Sequence, residues 1–160
     1  MATKPAPAKA KAEKLIASNK KAFHEYFVLD KFESGIALTG TEVKSLREGR
    51  VNLKDSYVEV KGGQAFLVGT HISPYSHGNR ENHEPERTRK LLLHRREIEK
   101  LHVQLTEKGL TIVPLRLYFK GGRVKAEIAV VRGKKLYDKR ETEKRREADR
   151  ETAAAKKLAR

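Results

Sequence analysis

Apolar and polar residues alternate along two segments of the chain, and each segment has a Gly-Gly pair near its centre. In the first, SYVEVKGGQAFLVGTHI, Gly62 and Gly63 can supply the positive φ angles of a tight hairpin turn. Its expected buried residues are Val58, Val60, Phe66 and Val68. The second, LTIVPLRLYFKGGRVKAEIAVVRG, repeats the pattern, and its Pro114 indicates an edge strand or a bulge. Two such hairpins predict an antiparallel sheet.

A further segment of β-forming residues precedes the first hairpin and leads into a short helix. FHEYFVLD, which starts at Phe23, predicts a strand, KFESG offers a turn or bulge at Gly35, and IALTG resumes the strand. The following TEVKSLREG predicts a helix with Thr41 as its N-cap and Gly49 at its end.

A polar loop, a short strand and a helix separate the two hairpins. The loop, SPYSHGNRENHEPERTRK, has 18 residues and is longer than the loops of compact domains usually are. Residues 91–93 predict a short buried strand, and the helix after it has Ile98, Leu101 and Leu105 on one face and Gly109 at its end. About six strands with peripheral helices predict a mainly β fold, a small closed antiparallel barrel.

Most of the excess positive charge lies at the two ends of the chain. Of a net charge of +15, residues 1–21 contribute +5 and residues 132–160 contribute +6. We therefore divide the chain into a flexible basic arm (1–18) with a short helical turn around Ala12 to Ala17, a folded domain (19–132) and a basic C-terminal tail (133–160). A folded body with basic arms is typical of proteins that bind phosphate backbones.

The tail, GKKLYDKRETEKRREADRETAAAKKLAR, has a helix-forming composition but almost nothing to bury. Its large apolar residues are Leu136, Tyr137 and Leu158, whereas pairs such as Lys139 and Glu143 lie at helical spacing. A helix without a packing face is marginal in water. We expect the tail to be disordered alone and helical against a partner with a long negative surface, for which nucleic acid is the obvious candidate.

The chain lacks the residue patterns of common catalytic and metal sites. It has no cysteine, and none of its six histidines belongs to a metal-ligand motif, so we expect neither a metal nor a cofactor. A GxSxG elbow and a GxxxxGK[ST] loop are both missing from the sequence, and an enzyme is therefore not expected. Without a signal peptide or a long apolar run, we expect a cytoplasmic protein with no membrane contact.

Polar residues lie at strand and helix junctions where a packed core has no need of them. They are Asn19, Lys20, Lys21, Glu33 and residues 40–45. The N–H groups of a helix N-terminus can bind phosphate, although Glu42 would repel it, and plain capping is the alternative for Thr41. Glu33 could accept hydrogen bonds from guanine or from a ribose hydroxyl, or it could be an ordinary turn residue.

Four blocks of the chain are specific enough to compare with a known family. They are NKKAFHEYFVLDKFESGIALTGTEVKSLREGRVNLKDSYVEV, GQAFLVGTHISPY, RTRKLLLHRREI and GKKLYDKRE. In this order they resemble the small protein B family, the SsrA-binding proteins of bacterial trans-translation. The resemblance implies an OB-fold-like small β-barrel that binds the tRNA-like domain of transfer-messenger RNA. It also implies delivery of that RNA to stalled ribosomes, where the stalled peptide is tagged for degradation.

The resemblance also implies which residues bind the RNA and the ribosome. The implied RNA-binding residues are Asn19, Lys20, His24, Glu33, Gly40, Thr41, Glu42, Lys44, Ser45, Lys90, Leu91, Lys125, Gly133, Lys134 and Lys135. His24 matches a position that faces the small-subunit decoding centre in the family. Tyr137, Asp138, Lys139 and Arg140 are implied to contact the ribosome, where the tail becomes helical in the empty mRNA channel. The final AAAKKLAR lacks the bulky residues of some relatives, and we assign no role after Arg150.

The implied partners are transfer-messenger RNA and the ribosome, with elongation factor Tu and alanyl-tRNA synthetase acting through the RNA. The protein itself is expected to be a monomer. From the residues alone, two other functions stay open: a generic basic RNA-binding or ribosome-associated structural protein, and an RNA-modifying enzyme. The second is disfavoured because the sequence shows no nucleophile, metal or cofactor motif.

Overall fold

Antiparallel strands make up much of the structure, as the hairpin patterns predict. The computed structural model describes residues 12–77, 82–134 and 136–158. Its strands are β1 (Glu13–Ser18), β2 (Tyr26–Ile36), β3 (Val51–Asn52), β4 (Tyr57–Lys61), β5 (Gln64–Val68), β6 (His71–Ile72), β7 (Arg89–Leu92), β8 (Leu110–Lys120) and β9 (Arg123–Gly133). Its helices are α1 (Lys20–Glu25), α2 (Gly40–Arg47), α3 (Arg95–Leu105) and α4 (Leu136–Leu158). The prediction of a mainly β fold with peripheral helices is confirmed.

Seven strands form one sheet in the order β1-β8-β9-β2-β7-β5-β4, and all of its pairings are antiparallel. β3 and β6 form a separate two-stranded pair. β4, at one end of the large sheet, packs against β8, which lies next to the other end, so the sheet curls around its core. This curled sheet agrees with the predicted small antiparallel barrel.

Both predicted Gly-Gly hairpins are present. Gly62 and Gly63 have φ angles of 58° and 72°, and Gly121 and Gly122 have φ angles of 59° and 76°. These values lie in the left-handed region that glycine tolerates best. The register of β8 shifts after Pro114, which confirms the predicted bulge.

The inward face of β5 differs by one residue from the prediction. Ala65 and Leu67 are fully buried, whereas Phe66 and Val68 are half-buried, so the predicted burial of the latter two is wrong. The pairing explains the difference, because Leu67 lies opposite the buried Val58 of β4. Residues directly opposite one another in an antiparallel ladder share a face.

Two apolar clusters lie on opposite faces of the sheet. The larger one fills the curl and includes Leu46 of α2, Leu101 of α3 and Ile112 of β8. The smaller one contains Val113, which points to the other face of β8, together with Ala22 of α1. α1 therefore covers the outer face of the sheet, while α2 and α3 pack against its interior.

Residues 20–25 form α1, although the sequence pattern predicts a strand from Phe23; that part of the prediction is wrong. Asn19 caps the helix: its Oδ1 accepts from the Ala22 N–H at 3.2 Å, and its Nδ2 donates to the Pro114 carbonyl at 2.9 Å. Ala22 is buried in the smaller cluster. The cap and this burial outweigh the β propensity of Phe23 and its neighbours.

Residues 13–18 form an edge strand that pairs with β8. The predicted flexible arm was therefore too long, and the helical turn predicted near Ala12 is wrong over these residues. Ile16 and Ala17 pack against the larger core, and the outer edge of β8 supplies backbone partners for the segment. Residues 1–11 of the predicted arm lie outside the described residues.

α2 is capped by Thr39 and not by the predicted Thr41. Thr39 Oγ1 accepts from the Glu42 N–H at 3.4 Å, and Glu42 Oε1 accepts from the Thr39 N–H at 2.9 Å. This reciprocal pair is a capping box, which requires the acidic residue three positions after the cap. Gly49, with φ of 70°, follows the end of the helix as predicted.

The Glu42 carboxylate is fully buried between two arginines. Its Oε1 accepts from Arg87 Nη2 at 2.6 Å, and its Oε2 accepts from Nε of Arg89, whose side chain is also fully buried. Arg89 further donates to the carbonyls of Thr70 at 2.7 Å and Pro85 at 3.0 Å. Burial acts to raise the pKa of Glu42, but the hydrogen bonds from the arginines and the helix cap lower it overall. The network joins α2, β7 and the loop before β7.

α3 matches the predicted helix except at its end. Leu101 is fully buried, and Ile98 and Leu105 lie half-buried on the same face. The helix ends at Leu105, so the predicted end at Gly109 is wrong by one turn. Gly109, with φ of 88°, lies in the turn that leads into β8.

α4 confirms that the tail sequence can form a helix. It packs against α1, where His24 Nε2 lies 2.7 Å from Glu143 Oε1. Most of its described side chains are exposed, and its order without a partner stays a prediction. Among the described residues, no helix is long and apolar enough to span a membrane.

We expect Glu42→Gln to lower the free energy of unfolding by about 3–5 kcal/mol, because the change leaves the buried Arg89 without its countercharge. Denaturant unfolding at neutral pH measures the loss. Glu99→Gln is the matched control, since Glu99 forms an exposed pair with Arg95, and such helical pairs contribute about 0.3–0.5 kcal/mol. Equal losses in the two variants would contradict the prediction.

The same network predicts acid sensitivity. The pKa of Glu42 is lower in the folded protein than its ordinary value of 4.5. Its stabilising contribution is therefore present above that value and lost as the pH falls through the folded pKa. Unfolding measured from neutral to acid pH should show a loss that is absent in Glu42→Gln.

Candidate nucleic-acid interface

The structure brings several of the predicted RNA-binding residues to one groove. Glu33 of β2, Lys90 of β7 and Lys125 of β9 line an opening with a volume of about 840 Å³. β2 lies between β7 and β9 in the sheet, which explains why residues distant in sequence meet here. The start of α3 forms one wall, with Glu97 and Ile98. The groove thus combines cationic, carboxylate and apolar side chains.

Gly35 lies in the groove where β2 passes close to β7. It pairs with Leu92 on one side and with Lys125 on the other. A Cβ at this position would lie 3.1 Å from Leu92 Cβ, closer than ordinary van der Waals contact. The absence of a side chain therefore lets β7 and Leu92 approach β2.

Leu92, and not the predicted Leu91, presents its side chain to the groove. Leu91 is 1% exposed and belongs to the larger core, whereas Leu92 is 55% exposed. Alternation along β7 separates the two: Arg89 and Leu91 point inward, and Lys90 and Leu92 point outward. The sequence LLL alone does not indicate which leucine is exposed. The charged Lys90 before it is expected to point outward, and alternation along the strand then places Leu91 inward and Leu92 outward.

The Glu33 carboxylate is held in place at the edge of the groove. The Tyr118 hydroxyl donates to Glu33 Oε2 at 2.7 Å, and Lys120 Nζ donates to the same oxygen at 3.1 Å. The bond from Tyr118 lowers the pKa of Glu33 more than partial burial raises it, and Lys120 lowers it further. Burial, followed by the bond to Glu33, raises the pKa of Tyr118. Glu33 is therefore an oriented anion with acceptor capacity left for a ligand.

Three other predicted residues are buried and act inside the protein. Asn19, 7% exposed, caps α1, and Glu42 lies between its arginines. Ser45 is also buried, and its Oγ donates to the Ser73 carbonyl at 2.7 Å. Like the side chain of Leu91, these side chains are buried, and the RNA-binding role of the four residues stays a prediction. The sequence places them beside exposed residues but does not reveal their burial.

The start of α2 forms a second exposed region. Gly40 is exposed, and a Cβ there would meet nothing within 4 Å. Thr41 Oγ1 lies 2.9 Å from His83 Nδ1, and Lys44 extends over the ring of Tyr75 at 5.5 Å. The structure thus assigns Thr41 a contact with the loop after β6 in place of the predicted cap.

The remaining predicted residues lie where α1 meets the tail. The Lys134 N–H donates to the Glu25 carbonyl at 2.7 Å, and Lys134 Nζ donates to Thr142 Oγ1 at 2.8 Å. Lys20 and Gly133 are exposed, and His24 is half-buried beside α4. Tyr137, Asp138, Lys139 and Arg140 lie in the first turns of α4. Lys135 lies outside the described residues.

The predicted residues thus occupy three regions: the groove, the start of α2 and the junction with the tail. Among the described residues, no three His, Asp or Glu side chains are arranged to hold a metal ion. The exposed cations in all three regions are suited to phosphate contacts.

The chain is similar to known proteins over most of its length. Residues 16–158 match the family described as SmpB protein. An SsrA-binding protein of Syntrophobacter fumaroxidans is 60% identical over 149 residues, which cover 93% of this chain and 92% of the relative. An SsrA-binding protein of Geobacillus kaustophilus is 60% identical over 142 residues, which cover 89% of this chain and 92% of the relative.

A solved structure is similar as well. It is described as "tmRNA-SmpB: a journey to the center of the bacterial ribosome" and matches with a TM-score of 0.65 and 44% sequence identity. The match covers 75% of this chain and 85% of that chain. Fold and sequence therefore point to the same relatives.

We expect Tyr118→Phe to raise the pKa of Glu33 toward its ordinary value of 4.5, because the largest cause of its lowered pKa is removed. A carboxyl-carbon NMR titration of Glu33 measures the change. Tyr57→Phe is the control, since Tyr57 lies on β4 with its ring 46% exposed. An unchanged Glu33 titration in Tyr118→Phe would show that the hydroxyl does not set the charge of the groove.

Proposed function

The chain belongs to the SmpB protein family, and we propose that it binds transfer-messenger RNA and delivers it to stalled ribosomes in trans-translation. The match over residues 16–158 is the observation on which the proposal rests, because it spans the sheet, the groove and most of the tail. The relatives are SsrA-binding proteins, and the similar solved structure describes such a protein with tmRNA in the bacterial ribosome. The function is binding and delivery, without a catalytic step.

The groove is the proposed site for the tRNA-like domain. Lys90 and Lys125 offer cations to phosphates, and Glu33 offers an oriented acceptor to ribose hydroxyls or guanine. Leu92 adds an exposed apolar surface that can pack against a sugar or base. Such a set suits recognition of RNA by shape, since the wide minor groove of A-form RNA displays 2′-hydroxyl groups.

The tail is the proposed ribosome-binding part. Residues 133–160 contribute +5 of the net charge of +15. α4 presents mostly exposed side chains, so it has surface available for a partner. We propose a body that binds RNA and ends near Gly133, and a tail that enters the mRNA channel. His24, beside the base of the tail, is proposed to face the decoding centre.

The proposal includes two further proteins that act on the same RNA. Elongation factor Tu and alanyl-tRNA synthetase are proposed to act through the bound RNA and not through a surface of this chain. The ribosome as a partner favours a cytoplasmic location. The strong positive charge also supports a second candidate, a generic basic RNA-binding protein, which the following experiment separates from the first.

We expect the protein to prefer transfer-messenger RNA over an ordinary tRNA and an unrelated structured RNA, with a preference that survives from about 50 to 200 mM salt. Leu92→Ser should weaken binding to transfer-messenger RNA by about tenfold, because it removes apolar contact without changing charge. Leu15→Ser is the matched control, since Leu15 is 56% exposed, as Leu92 is 55% exposed, but lies on β1 outside the groove.

Equal, steeply salt-dependent binding to all three RNAs would favour the generic binder. An equal effect of the two leucine variants would remove the groove from the proposal. Titration by fluorescence anisotropy with labelled RNA gives both comparisons in one experiment.

We expect truncation after Gly133 to reduce peptide tagging by more than about tenfold while changing RNA affinity less than about threefold at about 200 mM salt. The reason is that the partner of the tail is the ribosome. Truncation after Arg150 is the control and should retain most tagging. Tagging at the full-length rate without residues 134–160 would rule out the role of the tail.

A further inference from the structure

In the polar loop between β6 and β7, hydrogen bonds to a side chain hold the backbone of one aromatic residue, Tyr75. The Asn82 side chain accepts from the Tyr75 N–H at 2.9 Å and donates to the Tyr75 carbonyl at 2.7 Å. One amide thus satisfies both backbone groups of Tyr75 from seven residues away. Tyr75 packs in neither apolar cluster, so the core does not account for this arrangement.

Further hydrogen bonds tie the ends of the loop to the body. His83 Nε2 lies 2.8 Å from the Ile72 carbonyl, and its Nδ1 lies 2.9 Å from Thr41 Oγ1. Ser45 Oγ donates to the Ser73 carbonyl at 2.7 Å. These bonds hold the residues on either side of Tyr75 against α2. The position of the Tyr75 ring relative to α2 is therefore set before any ligand binds.

The ring of Tyr75 has a cation and a second ring beside it. Lys44 Nζ lies 5.5 Å from the ring centroid, and the His77 ring lies edge-on at 5.4 Å with an interplanar angle of 75°. Lys44 and His77 are exposed, and Tyr75 is half-buried. An aromatic face among exposed polar and charged groups is the usual arrangement for stacking an unpaired base.

The charge around this cluster favours a polyanion. Arg47 and Arg50 are exposed near Lys44 at the end of α2, and Glu48 partly offsets them at 3.9 Å from Arg50. Surfaces that combine aromatic and basic residues bind single-stranded nucleic acid by stacking and phosphate contacts.

We propose that Tyr75, Lys44 and His77 form a stacking site for an unpaired RNA base, separate from the Glu33 groove. The inference rests on the proposed function, because the RNA is the ligand bound at both sites. The base stacks on the exposed face of Tyr75, and Lys44 contacts the phosphate beside it. The start of α2, with Gly40 and Thr41, lies next to this site and adds exposed backbone.

The test compares three variants in binding full-length transfer-messenger RNA. Tyr75→Leu removes the aromatic face and should weaken binding by about five- to fiftyfold, in the range measured for base stacking. Tyr75→Phe keeps the ring and should bind like the unchanged protein. Tyr57→Leu, at a 46% exposed tyrosine of β4, should have no effect. Thermal unfolding of each variant shows whether the fold is retained.

A second measurement separates stacking from a structural role of Tyr75. Abasic substitutions are placed one at a time in the unpaired nucleotides of the RNA. At the stacked position, the difference between Tyr75→Leu and the unchanged protein should disappear, because the base is already missing. Loss of binding in Tyr75→Phe, or a difference that persists at all abasic positions, would overturn the proposal.

The binding measurements distinguish an error in the stacking site from an error in the proposed function. If Leu92→Ser weakens binding and Tyr75→Leu does not, the stacking site is refuted and the RNA-binding function stands. If the unchanged protein shows no preference for transfer-messenger RNA, the proposed function fails and the stacking site fails with it.

Discussion

The pairing of the buried Glu42 with Arg87 and Arg89 determines the arrangement of the candidate interface around α2 and β7. Glu42 caps α2 from within, and Arg89 ties β7 to the carbonyls of Thr70 and Pro85. A buried charge without a partner is costly, so these groups have little freedom to move apart. The network therefore fixes the start of α2, the strand β7 and the end of the polar loop relative to one another.

The same constraint explains the outward side of β7. Because Arg89 is drawn inward by Glu42, alternation turns Lys90 outward, Leu91 inward and Leu92 outward. The core and the groove thus lie on opposite faces of β7. Glu33 of β2, Lys90 of β7 and Lys125 of β9 meet in the groove because the sheet order places β2 between the other two strands.

Local sequence signals predicted the parts of the fold that local chemistry controls. Gly62-Gly63 and Gly121-Gly122 marked the hairpins because positive φ angles favour glycine. The predictions that were wrong depend on contacts between distant parts of the chain. For example, Asn19 caps α1 while its amide donates to the carbonyl of Pro114, 95 residues away. No local pattern contains that contact. The resemblance to a family found the region of the groove, but the structure was needed to show that the Leu91 side chain is buried and the Leu92 side chain is exposed there.

Body and tail are joined by contacts that are weak enough to exchange. His24 Nε2 meets Glu143 Oε1 at 2.7 Å, but the Glu143 side chain is 60% exposed, and exposed pairs of this kind contribute about 0–1 kcal/mol. Most of the described side chains of α4 are exposed, and a helix that buries little is only marginally stable by itself. The bond from Lys134 Nζ to Thr142 Oγ1 at 2.8 Å is a second contact near the base of the tail. Exchange of these contacts for contacts with a partner would expose the His24 side chain, which is now half-buried beside α4.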